Sequence, residues 1–337
     1  MTLALAHSMT LGSLRYDTHA AQIEVTLAML PRGGSASVRL PSAVRFEAEP
    51  GDSAELKLDG GEGAASVLTG QVALVRRHVD AIEVVLADAG GMLGRLRPSA
   101  SFERQPASGI IRKLAGDAGV TPGKLDLDLD LPAYAAHPGR TAAEHVARLA
   151  DWANAMALVD ADGTLAVQPV PEGPADSALR HGREVIAVAH ASSAPLNPKR
   201  FRIGSGPAGN MSAPDALRPS TGPLPDSADA GGAGVHRGSA PALRTPSAAQ
   251  KATAAASGAA ARAGECLEMR CFLLPAVRPG QVIEVQDLPA GLPSGPFLVN
   301  EVNHRLSAGR GETMVRAQML SAPDLLGALL GAVGGLL

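Results

Sequence analysis

The sequence predicts an α+β protein that is mainly β: two small related β-barrels, an inserted α+β domain and a Gly/Pro/Ala-rich loop. Three observations predict it. Short runs that alternate apolar and polar residues fill both ends of the chain. Helix-period stretches and a hairpin pattern occupy the middle. A Pro-Gly turn, an alternating strand, a loop and two further strands occur in that order twice. The expected divisions are a first barrel over 1–89, a middle domain over 90–178, and a second barrel over 179–322. The second barrel carries a low-complexity insert at about 205–246, and an apolar tail, 323–337, follows it.

From Leu14 to Ala89 the elements read as antiparallel strands. Gln22 to Leu30, Ser37 to Leu40 and Glu55 to Leu58 alternate between two faces. Pro31-Arg32-Gly33-Gly34 and Asp59 to Gly63 supply turns. Gly70 to Arg77 and Ala81 to Leu86 complete a small barrel or sandwich. After Asp88 the period changes. Ile110, Ile111, Leu114 and Ala118 fall on one helical face, and Gly119 ends that helix. Thr141-Ala142-Ala143-Glu144 is a capping box, in which the Thr hydroxyl and the Glu carboxylate each satisfy a backbone N–H that a helix start leaves unpaired. Val146, Leu149, Ala150 and Ala153 form the stripe of this second helix. Ala157 to Asp160 and Thr164 to Val167 flank a turn at Ala161-Asp162-Gly163.

Val185 to His190 and Arg200 to Gly204 return to strand character. Ser205 to Pro246 has too little apolar surface to offset its ordering entropy and is expected as a loop or arm. Ser247 to Ala263 is alanine-rich and helical, and strands resume from Glu265 to Leu320. The internal echo joins Pro50-Gly51 to Pro279-Gly280, Gly70 to Val79 with Gly295 to His304, and the return strand to Leu86 with Thr313 to Leu320. It has two readings, two related barrels or two generic hairpins.

Composition excludes several function classes. The chain has 337 residues, a net charge of −3 and 2% aromatics. A nucleic-acid reader needs a basic surplus and stacking rings, and both are scarce. Cys266 and Cys271 are too few for a disulfide framework or a four-thiolate site. On a strand, their spacing sets them on opposite faces. No run reaches the roughly 18 apolar residues of a membrane span, and no signal peptide is evident. No metal-ligand spacing, nucleophile elbow or phosphate loop appears, so no catalytic residue, metal or cofactor is expected. Asp126, Asp128 and Asp130 would lie along one strand face, a solvated row rather than a cation site. His304 is expected in a core or interface, and Trp152 as the anchor of the middle domain.

The ordered set of Gly70 to Leu86, Leu93 to Arg97, Ser101 to Glu103, Ile110 to Val120, Thr141 to Ala150, Asp162 to Val167, Val277 to Gly280 and Gly295 to Leu306 resembles the baseplate hub proteins of contractile phage tails, the late-control D family. It is also similar to the hub part of type VI secretion spikes and other contractile injection systems. The resemblance covers about 14–320 and implies a structural, non-enzymatic homotrimer. Three chains with two barrels each would make a pseudo-sixfold ring, joining a sixfold tail tube to a threefold spike. Implied partners are a separate spike protein, a tail tube or tube-initiator protein, a tape-measure protein and baseplate wedge proteins. DNA or cargo would only pass through the lumen. The implied location is the tail baseplate of a virion, or an injection particle, assembled in the bacterial cytoplasm. Leu325, Leu326, Leu329, Leu330, Val333, Leu336 and Leu337 would form an apolar helix that binds a partner. A tail-associated cell-wall hydrolase and a carbohydrate-binding module are the alternatives.

Overall fold

The structure is a computed structural model and describes residues 5–17, 19–193, 199–204, 220–221, 235–307 and 309–320. Period-two alternation turns most of the first segment into strands with their apolar residues on one buried face, while the long β6 departs from strict alternation. These are β1 (Ala6–Leu11), β2 (Leu14–Asp17), β3 (Gln22–Ala28), β4 (Ser35–Pro41), β5 (Ser53–Asp59), β6 (Ala64–Arg77) and β7 (Ala81–Ala87). In β3, for example, Ile23, Val25 and Leu27 are buried while Gln22 faces out.

Asp88 then caps α1 (Ala89–Arg95), its carboxylate accepting from the Gly91 N–H. The middle segment continues with β8 (Ala100–Pro106), α2 (Ala107–Asp117), β9 (Pro122–Leu125), β10 (Asp130–Ala136), α3 (Ala142–Trp152), β11 (Ala155–Val159) and β12 (Leu165–Pro169). The expected stripe of α2 is buried at Ile110, Ile111 and Leu114, and both halves of the Thr141–Glu144 capping box form. Trp152 is buried against Tyr134, edge to face. One expectation fails here. Asp126 and Asp128 do not share a strand with Asp130, because the chain leaves the β9–β12 pair and crosses to the β8–β10 pair between them. Asp126 and Asp128 instead meet Lys124 and Lys251. Strand β8 escaped the sequence reading because only Phe102 in it is buried, so it shows no alternation.

The remaining elements are β13 (Ser177–Arg180), β14 (Val185–Ser192), β15 (Lys199–Gly204), β16 (Ser220–Thr221), β17 (Val235–Ser239), α4 (Pro246–Arg262), β18 (Glu265–Phe272), β19 (Val282–Gln286), β20 (Phe297–Ser307) and β21 (Arg310–Met319). The stretch expected as a loop from Ser205 is partly strand, since β16 and β17 both pair with β15. Pairing with a neighbour satisfies backbone groups that local composition leaves open. Helix α4 starts at Thr245, whose hydroxyl accepts from the Ala248 N–H. Its Ala248 and Ala252, with Ala240 and Leu243, belong to the apolar core of the middle segment.

A single thirteen-stranded sheet combines β1 to β7 with β13, β14 and β18 to β21. Its main path is β14-β18-β21-β20-β3-β4-β7-β6-β5-β1-β2. Two five-stranded stretches of the sheet run alike, the second including β19, which pairs with β20 off the main path. In the first, β3-β4-β7-β6-β5 are neighbours and all pairs are antiparallel. In the second, β14-β18-β21-β20-β19 are neighbours, again all antiparallel. The chain visits the strands of the two units in the same order. The β3–β4 link is a short turn, whereas the β14–β18 link holds β15, β16, β17 and α4. One continuous apolar core underlies both units.

Candidate assembly interface

The two units match down to individual hydrogen bonds. Gly51 N–H donates to Val72 O at 2.9 Å, and Val72 N–H donates to Asp52 O at 2.8 Å. Gly280 N–H donates to Val299 O at 2.9 Å, and Val299 N–H donates to Gln281 O at 2.9 Å. Both Pro-Gly turns need glycine, with φ of +102° at Gly51 and +91° at Gly280. A bulge follows each clamp, between Val72 and Leu74 in β6 and between Val299 and Glu301 in β20. Val72 and Val299 are therefore equivalent, so Gly70 corresponds to Phe297 and not to Gly295. The sequence echo set the two glycines side by side; backbone pairing moves them two residues apart. At Gly70 the strand lies so close to its neighbour that a Cβ would sit 2.0 Å from Ala87 O. Phe297, at the same place in the second unit, is fully buried.

The units join where β20 pairs with β3, from Glu301 opposite Ala28 to Ser307 opposite Gln22. On the core side Val302, His304 and Leu306 meet Leu27, Val25 and Ile23, all buried. On the outer side Asn303 Nδ2–H donates to Thr26 Oγ1 at 2.9 Å and Arg305 pairs with Glu24 at 3.0 Å. His304 is fully buried, and its Nδ1 lies 2.9 Å from Thr313 Oγ1, which also accepts from Leu274 N–H. Nε2 has no partner, and burial, with the Arg278 charge, pushes the imidazole down to about 3. The ring is held neutral.

Arg278 ties the second unit to the first, and Asp88 ties the first unit to the middle segment. Arg278 donates to Ser66 O at 2.9 Å and to Val67 O at 3.3 Å. Burial lowers its affinity for the proton, against the pull of Asp160, Asp88 and Asp162. Asp88 is buried, accepts from Gly34 N–H at 2.7 Å and Gly91 N–H at 3.1 Å, and is pushed up to about 6 by desolvation. Thr69 Oγ1–H donates to Ala161 O at 2.8 Å, docking the β11–β12 turn on β6. The sequence reading singled out neither residue. Asp88 stands just before a helix start, where an N-cap carboxylate is a local signal; Arg278 has no local signal, because the partners of its side chain lie far away in the chain.

Two edges of the frame lack a strand partner among the described residues. One is the outer edge of β14, the last strand on its side of the path. The other is β6 beyond the β5 ladder, from Leu74 to Arg77. Leu74, Val79 and Ile186, three of the large apolar residues most open to water, lie on or beside these edges. Cys266 is exposed and Cys271 buried, on opposite faces as expected. Among the described residues no His, Cys, Asp or Glu group could hold a metal ion. The apolar tail residues Leu325 to Leu337 lie outside the described residues.

No family model and no curated protein matches the chain by sequence. Solved structures do match its fold. A tail protein from Neisseria meningitidis MC58 superposes with a TM-score of 0.71 at 16% identity, over 95% of this chain and 99% of that one. The 43 kDa tail protein of prophage MuSo2 from Shewanella oneidensis gives 0.67 at 15%, with the same coverage of 95% and 99%. The E. coli c3393 protein, a type VI secretion component with structural similarity to the T4 tail proteins gp27 and gp5, gives 0.63 at 14%, over 93% of this chain and 77% of that one. The chain thus has a mainly-β fold of the kind found in phage tail and type VI secretion proteins.

Proposed function

We propose that the chain is the structural hub of a contractile phage tail or injection-system baseplate, a homotrimer that joins a sixfold tube to a threefold spike. The duplicated five-stranded unit carries this reading. Two like units in each of three chains give six like positions around one axis, which suits a sixfold tube, while the inserts that differ between the units keep the true symmetry threefold. The middle segment and α4, which have no counterpart in the first unit, would form that threefold side. The role is architectural, with no catalytic step. The proposed divisions are 1–89, 90–178, 179–322 and 323–337. Its proposed partners are a separate spike, a tube or tube-initiator protein, a tape-measure protein and wedge proteins, in a virion tail or injection particle. In this reading the apolar tail, Leu325, Leu326, Leu329, Leu330, Val333, Leu336 and Leu337, helps to dock one of them.

Native mass spectrometry of the purified protein, alone and with its tube protein, tests this reading, with electron micrographs of the product. The expected result is a trimer that appears as a six-lobed ring. A monomer at every concentration, in both samples, overturns it.

A further inference from the structure

The seam inside one chain shows how two chains meet. We propose that β6 of one copy pairs antiparallel with β14 of the next, in the register that β20 and β3 use within the chain; this rests on the ring reading above. The equivalences are fixed by backbone pairing. Val75 opposite Val84 matches Val302 opposite Val315, which places β6 on β20. Ile23 opposite Val38, itself opposite Val84, matches Val188 opposite Met269, itself opposite Val315, which places β3 on β14.

Transferring the β20–β3 register to the two open edges sets Val75 opposite Ser192 and Arg77 opposite His190 and, continued two residues past β6 into the turn closed by His78 N–H to Ala81 O, Val79 opposite Val188. The last pair explains an otherwise costly residue. Val79, in the turn just past β6, is 100% exposed, whereas Leu306, at the same count along the longer β20, is buried against Ile23. Covered by Val188 of a second copy, Val79 would leave water in the same way. The charges also fit. Arg77 points from the edge over the Phe46 ring, at 5.7 Å. Glu265 lies beside the other edge, its carboxylate 2.7 Å from His190 Nε2 and bonded to Ser192. The internal seam has His304 and Val25 at this level; the seam between copies would have an Arg–Glu pair instead. Each copy has one edge of each kind, so the contact is head-to-tail and runs on until a ring closes. Pairing also satisfies the open N–H and C=O groups that an unprotected edge exposes.

Cysteine pairs test the register, in a Cys266→Ser background that leaves only buried Cys271. Val79→Cys and Val188→Cys are made as separate chains, mixed and oxidised. The expected product is a covalent dimer that forms only in the mixture. Val79→Cys mixed with Ser192→Cys, four residues out of register, is expected to give less than a tenth of it. A trimer by mass that forms no such dimer, or prefers the shifted pair, overturns the pairing and leaves the ring reading standing. Absence of any trimer overturns both. The charges are tested without cysteines. Arg77→Glu is expected to weaken self-association at least tenfold, and Arg77→Glu with Glu265→Arg to restore it. Equal weakening in the single and double variants, with unchanged circular dichroism, counts against the Arg–Glu contact.

Discussion

The first and second five-stranded units have one backbone and two ways of filling it. At the equivalent sites, Gly70 leaves no room for a side chain beside Ala87 O, while Phe297, in the ladder opposite Met319, buries a ring. At Gly51 and Gly280 both units keep the residue that a positive φ requires. The lesson is that hydrogen-bond geometry repeats while side-chain volume does not. A core can be refilled if its total volume is kept, whereas turns at φ of +102° and +91° strongly favour glycine. This is also how a fold persists at 14–16% identity to its structural neighbours.

The largest expected effect breaks that comparison on the second side. Phe297→Ala removes the largest fully buried side chain and is expected to cost about 3–5 kcal/mol, read as the shift of a urea midpoint. Gly70→Ala tests the first side by the opposite defect: its Cβ would strike Ala87 O. It is expected to cost about 1–3 kcal/mol through overpacking, and a neutral result means that β6 and β7 can separate.

The Pro-Gly turns sharpen the comparison. Gly51→Ala and Gly280→Ala both force an alanine to positive φ, at about 1–3 kcal/mol each. Gly280→Ala is expected to be worse, because its Cβ would lie 2.6 Å from Leu158 Cδ2, whereas nothing lies within 4 Å of the one at Gly51. Thermal melts of the two variants, compared with each other, check the order.

His304 is fully buried where its equivalent Arg77 is exposed, and the burial of the histidine makes stability depend on pH. A histidine lowered from 6.5 to about 3 in the fold contributes stability that is fully present above pH 6.5 and is lost as pH falls towards 3. His145, also lowered by burial and bonded to the Tyr134 hydroxyl and His137 O, acts in the same direction. Asp88, raised from 3.8 to about 6, opposes both: its contribution is present below 3.8 and lost as pH rises through 6. His304→Leu is expected to flatten the fall in melting temperature between pH 6.5 and 4. An unchanged slope assigns that fall to other groups.

The smallest effect is expected on the outside of the internal seam. Arg305→Ala breaks an exposed pair with Glu24 and is expected to cost under about 1 kcal/mol. A larger loss in a chemical melt would show that the seam depends on its outer face and not on Val302, His304 and Leu306.

Short-range residue patterns specify the strands with one buried face, the stripes of α2 and α3, the capping box at Thr141 and the helix after Thr245; the echo between the two ends stays open to two readings until the backbone pairing is seen. Each follows from residues within a turn or two of one another, where period and capping chemistry act. Tertiary structure alone decided the rest. The β20–β3 seam, the true partner of Gly70, the strands at 220–221 and 235–239, and the place of Arg278 depend on backbone groups and charges brought together from distant parts of the chain. A ladder between two strands leaves no mark in either sequence beyond alternation. That alternation is the same whichever partner the strand meets.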